Sequence, residues 1–424
     1  MTDFSQNGEI STLHNIVERP LSELENELNV YANRRPMSLL LPTPFVAFGH
    51  QALANILREL QQVSYLSEIV VGLDQADRDQ FRHALNCLAS LPQRRRVIWN
   101  DGPRLRKIDE LLVGVGLAPP EDGQVRAVWY GLGYILAAGK AETVAMHGSD
   151  VFDYHRGLLA KLLYPVANPA FTYEFCKGYY AQVNGGHFAG RAGRLLLAPL
   201  VNALIQVFGA TDYLKYLSSF HYPLSREIAF RRDVIHDLRI PDNDGLELGI
   251  LSEVQRHLAR NRICQMDVAP GYGRVHQCVT DGVDVMDLGD RSVDVIRTLF
   301  EHLTRQGLVM DSFTVQTIKV TYQRIALDFI EAYHSDSIVN GLVFDVHSEE
   351  KAVDFFATNI YQAGRSMAEG PVSAAYLPSW SRVISAIPDI LSRLYDAVES
   401  DNREFDTSSI FVTRAPNNLP AASV

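Results

Sequence analysis

The side chains best placed to do chemistry in this chain are acids and bases that follow short apolar runs. Thr143-Val-Ala-Met-His-Gly-Ser-Asp150 ends on a hydroxyl and a carboxylate, and Asp153 follows within one turn. Hard oxygen ligands of this kind suit Mg²⁺ or Mn²⁺, and an ion held there offsets the charge that develops on a departing diphosphate. A carboxylate at a strand end also caps helices, so Asp150 has a structural reading as well. Glu247 lies in Asp242-Asn-Asp-Gly-Leu-Glu-Leu-Gly, a polar turn running into a helix. Either it favours the positive helix start behind a cap at Asp242 or Asp244, or it presents a carboxylate to sugar hydroxyls. His276, in Gly271-Tyr-Gly-Arg-Val-His, is a structural histidine or a third metal ligand beside one Asp and a diphosphate. Arg191 and Arg194 open a helix after Gly185-Gly186 and Gly190. A glycine-rich approach exposes backbone N–H groups and an arginine grips an anion bidentately, which makes this the best anion site in the chain. A solvated charge at a loop is the alternative.

The hydrophobic pattern supplies a frame for these residues. Met37-Ser-Leu-Leu-Leu-Pro42 is a continuous apolar run, followed by Gly49, His50 and a helical pattern over 52–63. Ser67-Glu-Ile-Val-Val-Gly-Leu-Asp74 is a second run ending on an acid, with a helix expected over 77–91. Residues 95–99 read as a third strand, 125–139 as a helix and 142–146 as a fourth strand. Short apolar strands alternating with amphipathic helices predict an α/β fold with a parallel sheet covered on both faces. Ligands of such sheets bind beyond the carboxyl ends of the strands, which puts Pro42, Asp74 and Asp150 on one rim.

Further along, the pattern predicts helices over 158–166, 191–207, 231–238 and 245–260, and strands over 171–182, 263–268 and 273–279. Beyond 285 it is nearly all helical, over 293–306, 313–333, 349–367 and 380–399. The expected division is a polar N-terminal extension at 1–36, a catalytic domain at 37–284, a helical region at 285–405 and a loose tail at 406–424. The C-terminal helices carry apolar stripes beyond what one small bundle buries, so they should brace the fold or form a homodimer.

Composition excludes several classes. The chain has 424 residues and a net charge of −11, from 39 basic and 50 acidic side chains. That argues against a nucleic-acid or anionic-membrane surface, though not against a local phosphate pocket. Cys87, Cys176, Cys264 and Cys278 form no CxxC pair, so free thiols are expected rather than a zinc site or a disulfide framework. No leader pattern and no apolar stretch of about 20 residues occur, so a cytoplasmic protein with no membrane segment is expected. GxxxxGK[ST], GxSxG and HExxH are absent. Arg94-Arg95-Arg96, Arg231-Arg232 and Tyr179-Tyr180 read as surface or packing features.

Taken in order, several segments resemble the retaining GT-A glycosyltransferases of the glucosyl-3-phosphoglycerate synthase type, relatives of the mannosylglycerate and mannosyl-3-phosphoglycerate synthases. Leu39-Leu-Leu-Pro42 is similar to the family's opening strand, and Val70-Val-Gly-Leu-Asp74 to the strand whose end faces the uridine. His147-Gly-Ser-Asp150 stands where the family has an Asp-Ser-Asp metal motif. Gly190-Arg-Ala-Gly-Arg-Leu resembles the Gly-Arg-Val-Thr segment that receives phosphoglycerate, and Tyr222-Pro-Leu-Ser-Arg-Glu227 the Pro-Leu-Ser-Gly-Glu loop at the reaction centre. Gly245-Leu-Glu-Leu-Gly-Ile-Leu resembles a Val-Glu-Ile-Gly-Leu-Leu helix whose Glu contacts the donor sugar, and Arg274-Val-His276 the late metal-binding histidine.

The resemblance implies a GT-A (Rossmann-like), mostly parallel sheet flanked by helices, with a C-terminal helical region. It also implies an enzyme that moves glucose from a nucleotide-sugar to the 2-hydroxyl of 3-phosphoglycerate. Asp150 and His276 would hold Mg²⁺ or Mn²⁺. Pro42, Asp74, Gly123, Ser149 and Glu247 would bind the donor; Gly190, Arg191 and Arg194 the acceptor; Leu224, Ser225 and Glu247 would line the reaction centre. UDP-glucose is the first expectation for the donor, with ADP-glucose, GDP-glucose or GDP-mannose as alternatives, and D-glycerate the alternative acceptor. Four positions depart from the pattern: Gly148 replaces the first Asp, Gln124 the lysine of a Gly-Lys-Gly, Gly193 a threonine and Arg226 a glycine. The third departure implies either unphosphorylated D-glycerate as the acceptor or replacement contacts to its phosphate from Arg194 and Arg226. A nucleotide-binding protein that transfers no sugar is the rival implied by the first two departures.

Overall fold

The computed structural model describes residues 6, 8–17, 19–120, 123–272, 289–369 and 376–405. Among them, β1 (Ser11–Leu13), β2 (Met37–Pro44), β3 (Leu66–Asp74), β4 (Arg94–Trp99), β5 (Thr143–Met146), β6 (Phe175–Asn184), β7 (His187–Phe188), β8 (Ile228–Arg231) and β9 (Ile263–Tyr272) form one mixed sheet. The order across it is β1-β9-β6-β8-β5-β2-β3-β4, with β7 folded back onto β6. β2 pairs in parallel with β3 and β5, and β3 with β4. Alternation along these strands fills two cores. Leu40, Val70, Ile98 and Val144 point to one, and Leu39, Leu41, Ile69, Val71 and Ala145 to the other. The helix Gln124–Ala138 lies close on the first face: a Cβ on Gly131 would meet Leu40 Cδ1 at 2.4 Å.

β8 runs antiparallel between β5 and β6, with Ile228 opposite Met146. This reversal matters for function. It puts the start of β8, and so the loop 222–227 before it, at the carboxyl end of β5. β6 runs past β8 on the same side, and Gly178 N–H donates to Glu227 O at 2.8 Å. Loop 222–227 is therefore held over the rim where parallel strands end.

Three strands were not anticipated, the two-residue β7 among them. β8 is too short to show alternation, and β1 lies in the polar segment read as an extension, where it pairs with β9. The helix Pro103–Gly114 was likewise unforeseen. The expected helix 191–207 is two pieces, a π-wound stretch Ala192–Leu197 and an α-helix Ala198–Phe208. The expected helix 380–399 breaks into Trp380–Ala386 and Ile390–Phe405, with Pro388 in the gap. The strand expected over 273–279, the 284/285 boundary and the tail at 406–424 lie outside the described residues.

The C-terminal helices Gly289–Arg305, Ser312–Asn340 and Val346–Glu369 share the core of the first sheet face, where Leu299, Ile318 and Phe356 join the cluster that contains Leu40. The last helix, Ile390–Phe405, covers the edge strand β4. Asn402 accepts from Val97 N–H at 2.9 Å and donates to Val97 O at 2.7 Å, pairing the backbone that an edge strand leaves open. Glu399 binds Arg96 at 2.8 Å and Arg94 at 2.6 Å, so the arginine run is a packing feature. No helix among the described residues is long and apolar enough to cross a membrane.

Candidate active site

The rim formed by the ends of β2, β3 and β5 encloses a pocket of about 230 Å³. Pro42, Asp74, Gly123, Ser149 and Asp150 line it, so the described residues expected at the donor site and the expected metal carboxylate converge, apart from Glu247. The strands explain most of this. Pro42 and Asp74 stand two residues apart in register on β2 and β3, because Pro42 pairs with Gly72 and Pro44 with Asp74. Gly123 closes the wall opposite. Its N–H donates to Asp74 Oδ2 at 3.2 Å, and its φ of 99° belongs to the region that favours glycine.

Asp150 is not a helix cap. The next helix, Arg156–Ala167, is capped by His155, whose Nδ1 accepts from Gly157 N–H at 3.2 Å. Asp150 faces Arg226 instead, with Nη1 3.6 Å from its Oδ2. Glu247 is not held by a cap either: neither Asp242 nor Asp244 caps the helix Leu246–His257. Its carboxylate is buried and accepts from Arg226 Nε at 3.3 Å and Arg291 Nη2 at 3.1 Å. Burial pushes the Glu247 pKa up, but Arg291, Arg226 and Lys177 together outweigh it, and the group lies below its ordinary value. Glu247 thus remains a carboxylate in a dry place.

Lys177, also buried, donates from Nζ to Ser225 O, and Ser225 Oγ donates to Gly178 O at 2.5 Å. These bonds fix Leu224 and Ser225 at the rim.

The acceptor candidates form a second cluster. Gly190, at φ 70°, packs so tightly that a Cβ would strike Gln182 Oε1 at 2.0 Å. Arg191 Nε donates to Glu349 Oε1 at 2.9 Å and its Nη2 to Ser348 Oγ at 2.9 Å. Arg194 is buried, with Nε donating to Ala189 O at 3.1 Å and Nη2 2.6 Å from Glu349 Oε2, an ion pair outside hydrogen-bond alignment. Its guanidinium lies over Tyr333 at 5.2 Å. Burial lowers the Arg194 pKa against the pull of Glu349. Gly193 has a steric reason: a Cβ there would come within 2.8 Å of Tyr222 Cε2. Tyr222 OH in turn accepts from Gln182 Nε2 at 2.7 Å, which ties the cluster to the loop 222–227.

Several lining residues escaped the sequence reading: Thr43, His50, Gln75 and Ala127. Gln75 carries a signal, since its φ of 57° is rare without glycine and follows directly on Asp74. A Gln between Asp74 and Ala76 gives no hint of that in sequence. His276 lies outside the described residues. No group of three or more His, Cys, Asp or Glu among the described residues could hold a metal by itself. The donor set that is present, a hard carboxylate at a phosphate-sized pocket, fits an ion that takes its other ligands from a diphosphate, the usual habit of Mg²⁺.

Known proteins resemble this chain over most of its length. A curated glucosyl-3-phosphoglycerate synthase from Persephonella marina is 39% identical over 404 residues, 95% of this chain and 100% of that protein. The chain belongs to the glucosyl-3-phosphoglycerate synthase family. A second member, from Methanococcoides burtonii, is 34% identical over 378 residues, 88% of this chain and 91% of its own. The crystal structure of the Mycobacterium tuberculosis synthase in complex with phosphoglyceric acid shares the fold, with a TM-score of 0.50 and 22% identity over 69% of this chain and 88% of that one. No family model matches the chain. The GT-A-type sheet with flanking helices is thus established for this family member.

Proposed function

We propose that this chain is a metal-dependent retaining glucosyltransferase that moves glucose from UDP-glucose to the 2-hydroxyl of 3-phosphoglycerate, giving glucosyl-3-phosphoglycerate. The observation that carries the reading is the convergence of Pro42, Asp74, Gly123, Ser149 and Asp150 on one pocket, with Glu247 joined to it through Arg226. The relatives named for this reaction support it across nearly the whole chain.

In this scheme Asp150 and His276 would hold a Mg²⁺ or Mn²⁺, which would supply positive charge to offset that on the leaving diphosphate. Glu247, kept ionised by its cations, accepts hydrogen bonds from the hexose hydroxyls. Lys177 and Gly178 hold the Leu224–Ser225 backbone against the reacting carbon. No side chain is assigned as nucleophile. The acceptor hydroxyl attacks from the face the phosphate leaves, and the departing phosphate oxygen takes its proton. Positioning and charge stabilisation supply most of the acceleration. Arg191 and Arg194 receive the acceptor's anionic end, in competition with Glu349.

Cytoplasmic location and a homodimer belong to the same reading. Cys176 and Cys264 face each other across β6 and β9 as free thiols, in keeping with a reducing compartment. Phe313, Val320 and Leu327 stand exposed at heptad spacing on the helix Ser312–Asn340, a face suited to a second copy. Monomers at micromolar concentration in light scattering would refute the dimer.

Initial rates test the function. 3-Phosphoglycerate and D-glycerate are each assayed against UDP-, ADP- and GDP-glucose and GDP-mannose, with Mg²⁺ or after chelation. Metal-dependent turnover of UDP-glucose and 3-phosphoglycerate is expected. Turnover of D-glycerate alone would move the chain to the glucosylglycerate or mannosylglycerate synthases, and donor binding without turnover of any acid acceptor would leave a nucleotide-binding protein.

A further inference from the structure

Arg226, grouped by the family resemblance with Arg194 as a contact to the acceptor, sits instead between the two carboxylates expected to serve the donor. Among the described residues lining the donor pocket it is the one Lys or Arg, set against Asp74 and Asp150. Gln124, which also lines it, is neutral. A nucleoside diphosphate entering that pocket would bring more negative charge to two carboxylates, which a single divalent ion on Asp150 balances only in part. The side chain is also held in place. Its Nε is hydrogen-bonded to Glu247 Oε1, a buried oxygen that also accepts from Arg291 Nη2. Its Nη1 end, by contrast, is 3.6 Å from Asp150 Oδ2, beyond hydrogen-bond length. The guanidinium is therefore pinned at one end, with its fork toward the pocket.

We propose that Arg226 is a phosphate-binding residue of the donor site, a fixed cation that grips the nucleoside diphosphate and shares that task with the metal ion on Asp150. This rests on the nucleotide-sugar reading given above. The antiparallel insertion of β8 is what brings the residue there, since it places loop 222–227 at the end of β5. Planar forked donors match phosphate oxygens, so lysine replaces the grip only in part. Asp150, which would hold the ion, is also the neighbour of the Nη1 end, so that end would be left to the phosphate once the carboxylate was engaged by a cation.

Calorimetric titration of UDP and of uridine into the full chain, in EDTA and in Mg²⁺, tests this with the wild type, Arg226→Gly and Arg226→Lys. The wild type should bind UDP measurably in EDTA. Arg226→Gly should weaken that binding at least tenfold, Arg226→Lys less, and uridine affinity should stay the same in all three. Equal UDP affinity of wild type and Arg226→Gly in EDTA overturns the proposal. So does a matching loss for uridine, which would make Arg226 a shaping residue, or wild-type binding that appears only with Mg²⁺. Failure of the wild type to bind UDP under both conditions would overturn the UDP-glucose reading itself.

Discussion

The donor pocket and the acceptor cluster handle charge in opposite ways. At the donor end two carboxylates, Asp74 and Asp150, line a pocket with one arginine, and ligand and metal must complete the balance. At the acceptor end two arginines, Arg191 and Arg194, already share one carboxylate, Glu349. The first region is made by strand ends of a parallel sheet. The second is closed by a residue of the C-terminal helix Val346–Glu369. Under the proposed assignment, donor affinity would depend on the sheet rim, whereas acceptor affinity would be coupled to how the C-terminal helices sit. Loop 222–227 connects the two, with Tyr222 packed on Gly193 and Arg226 reaching Asp150.

The comparison can be tested by perturbing each side. The largest effect is expected from Glu247→Gln, which should lower kcat about 100- to 1,000-fold, because the hexose loses the charged acceptor that positions it for transfer. Initial rates with saturating donor and acceptor measure it, and an unchanged kcat would remove Glu247 from the reaction centre. Glu349→Gln should cost about 3 kcal/mol of stability in denaturant titration, because buried Arg194 loses its counter-charge. UDP affinity should not move, and if it does, the two regions are not separate. Arg191→Ala should raise the KM for 3-phosphoglycerate about 10- to 100-fold, the worth of hydrogen bonds to a charged group, with the UDP-glucose KM held. A rise in both constants would blur the division.

The smallest effect concerns the brace on β4. Glu399 has its pKa pushed up by burial but pulled down further by Arg96, Tyr134 and Arg94, to about 2, against an ordinary 4.5. A depressed carboxyl contributes stability above the unfolded value and loses it as pH falls through the folded one. The Tm gap between wild type and Glu399→Gln should therefore be full above pH 5 and shrink toward pH 2. A gap that does not change with pH would mean that the Arg94 and Arg96 ion pairs do not hold the last helix.

How much of this was legible in sequence follows the same division. The donor rim was readable because β2 and β3 are apolar runs and β3 ends on its acid, which local patterning reports. β8 was not, since a four-residue strand beside two arginines has no period to detect, and with it the position of Arg226 was lost. Glu349 pairs with arginines far away in the chain, and nothing in a helical stripe announces such a partner. Gly193 looked like a missing threonine; its cause is the ring of Tyr222, a contact only the fold creates. The break before Ile390 was in plain view at Pro388 and was overridden by the apolar stripe on either side of it.

The central claim is the transfer itself, and carbon NMR of the reaction reads it directly. The chain is incubated with Mg²⁺, 3-phosphoglycerate and UDP-glucose labelled at the anomeric carbon. The account predicts that the label moves into an α-configured glycosidic bond to the 2-oxygen of 3-phosphoglycerate, with no such signal from Asp150→Ala. Label that stays in UDP-glucose, or appears only as free glucose, would contradict it.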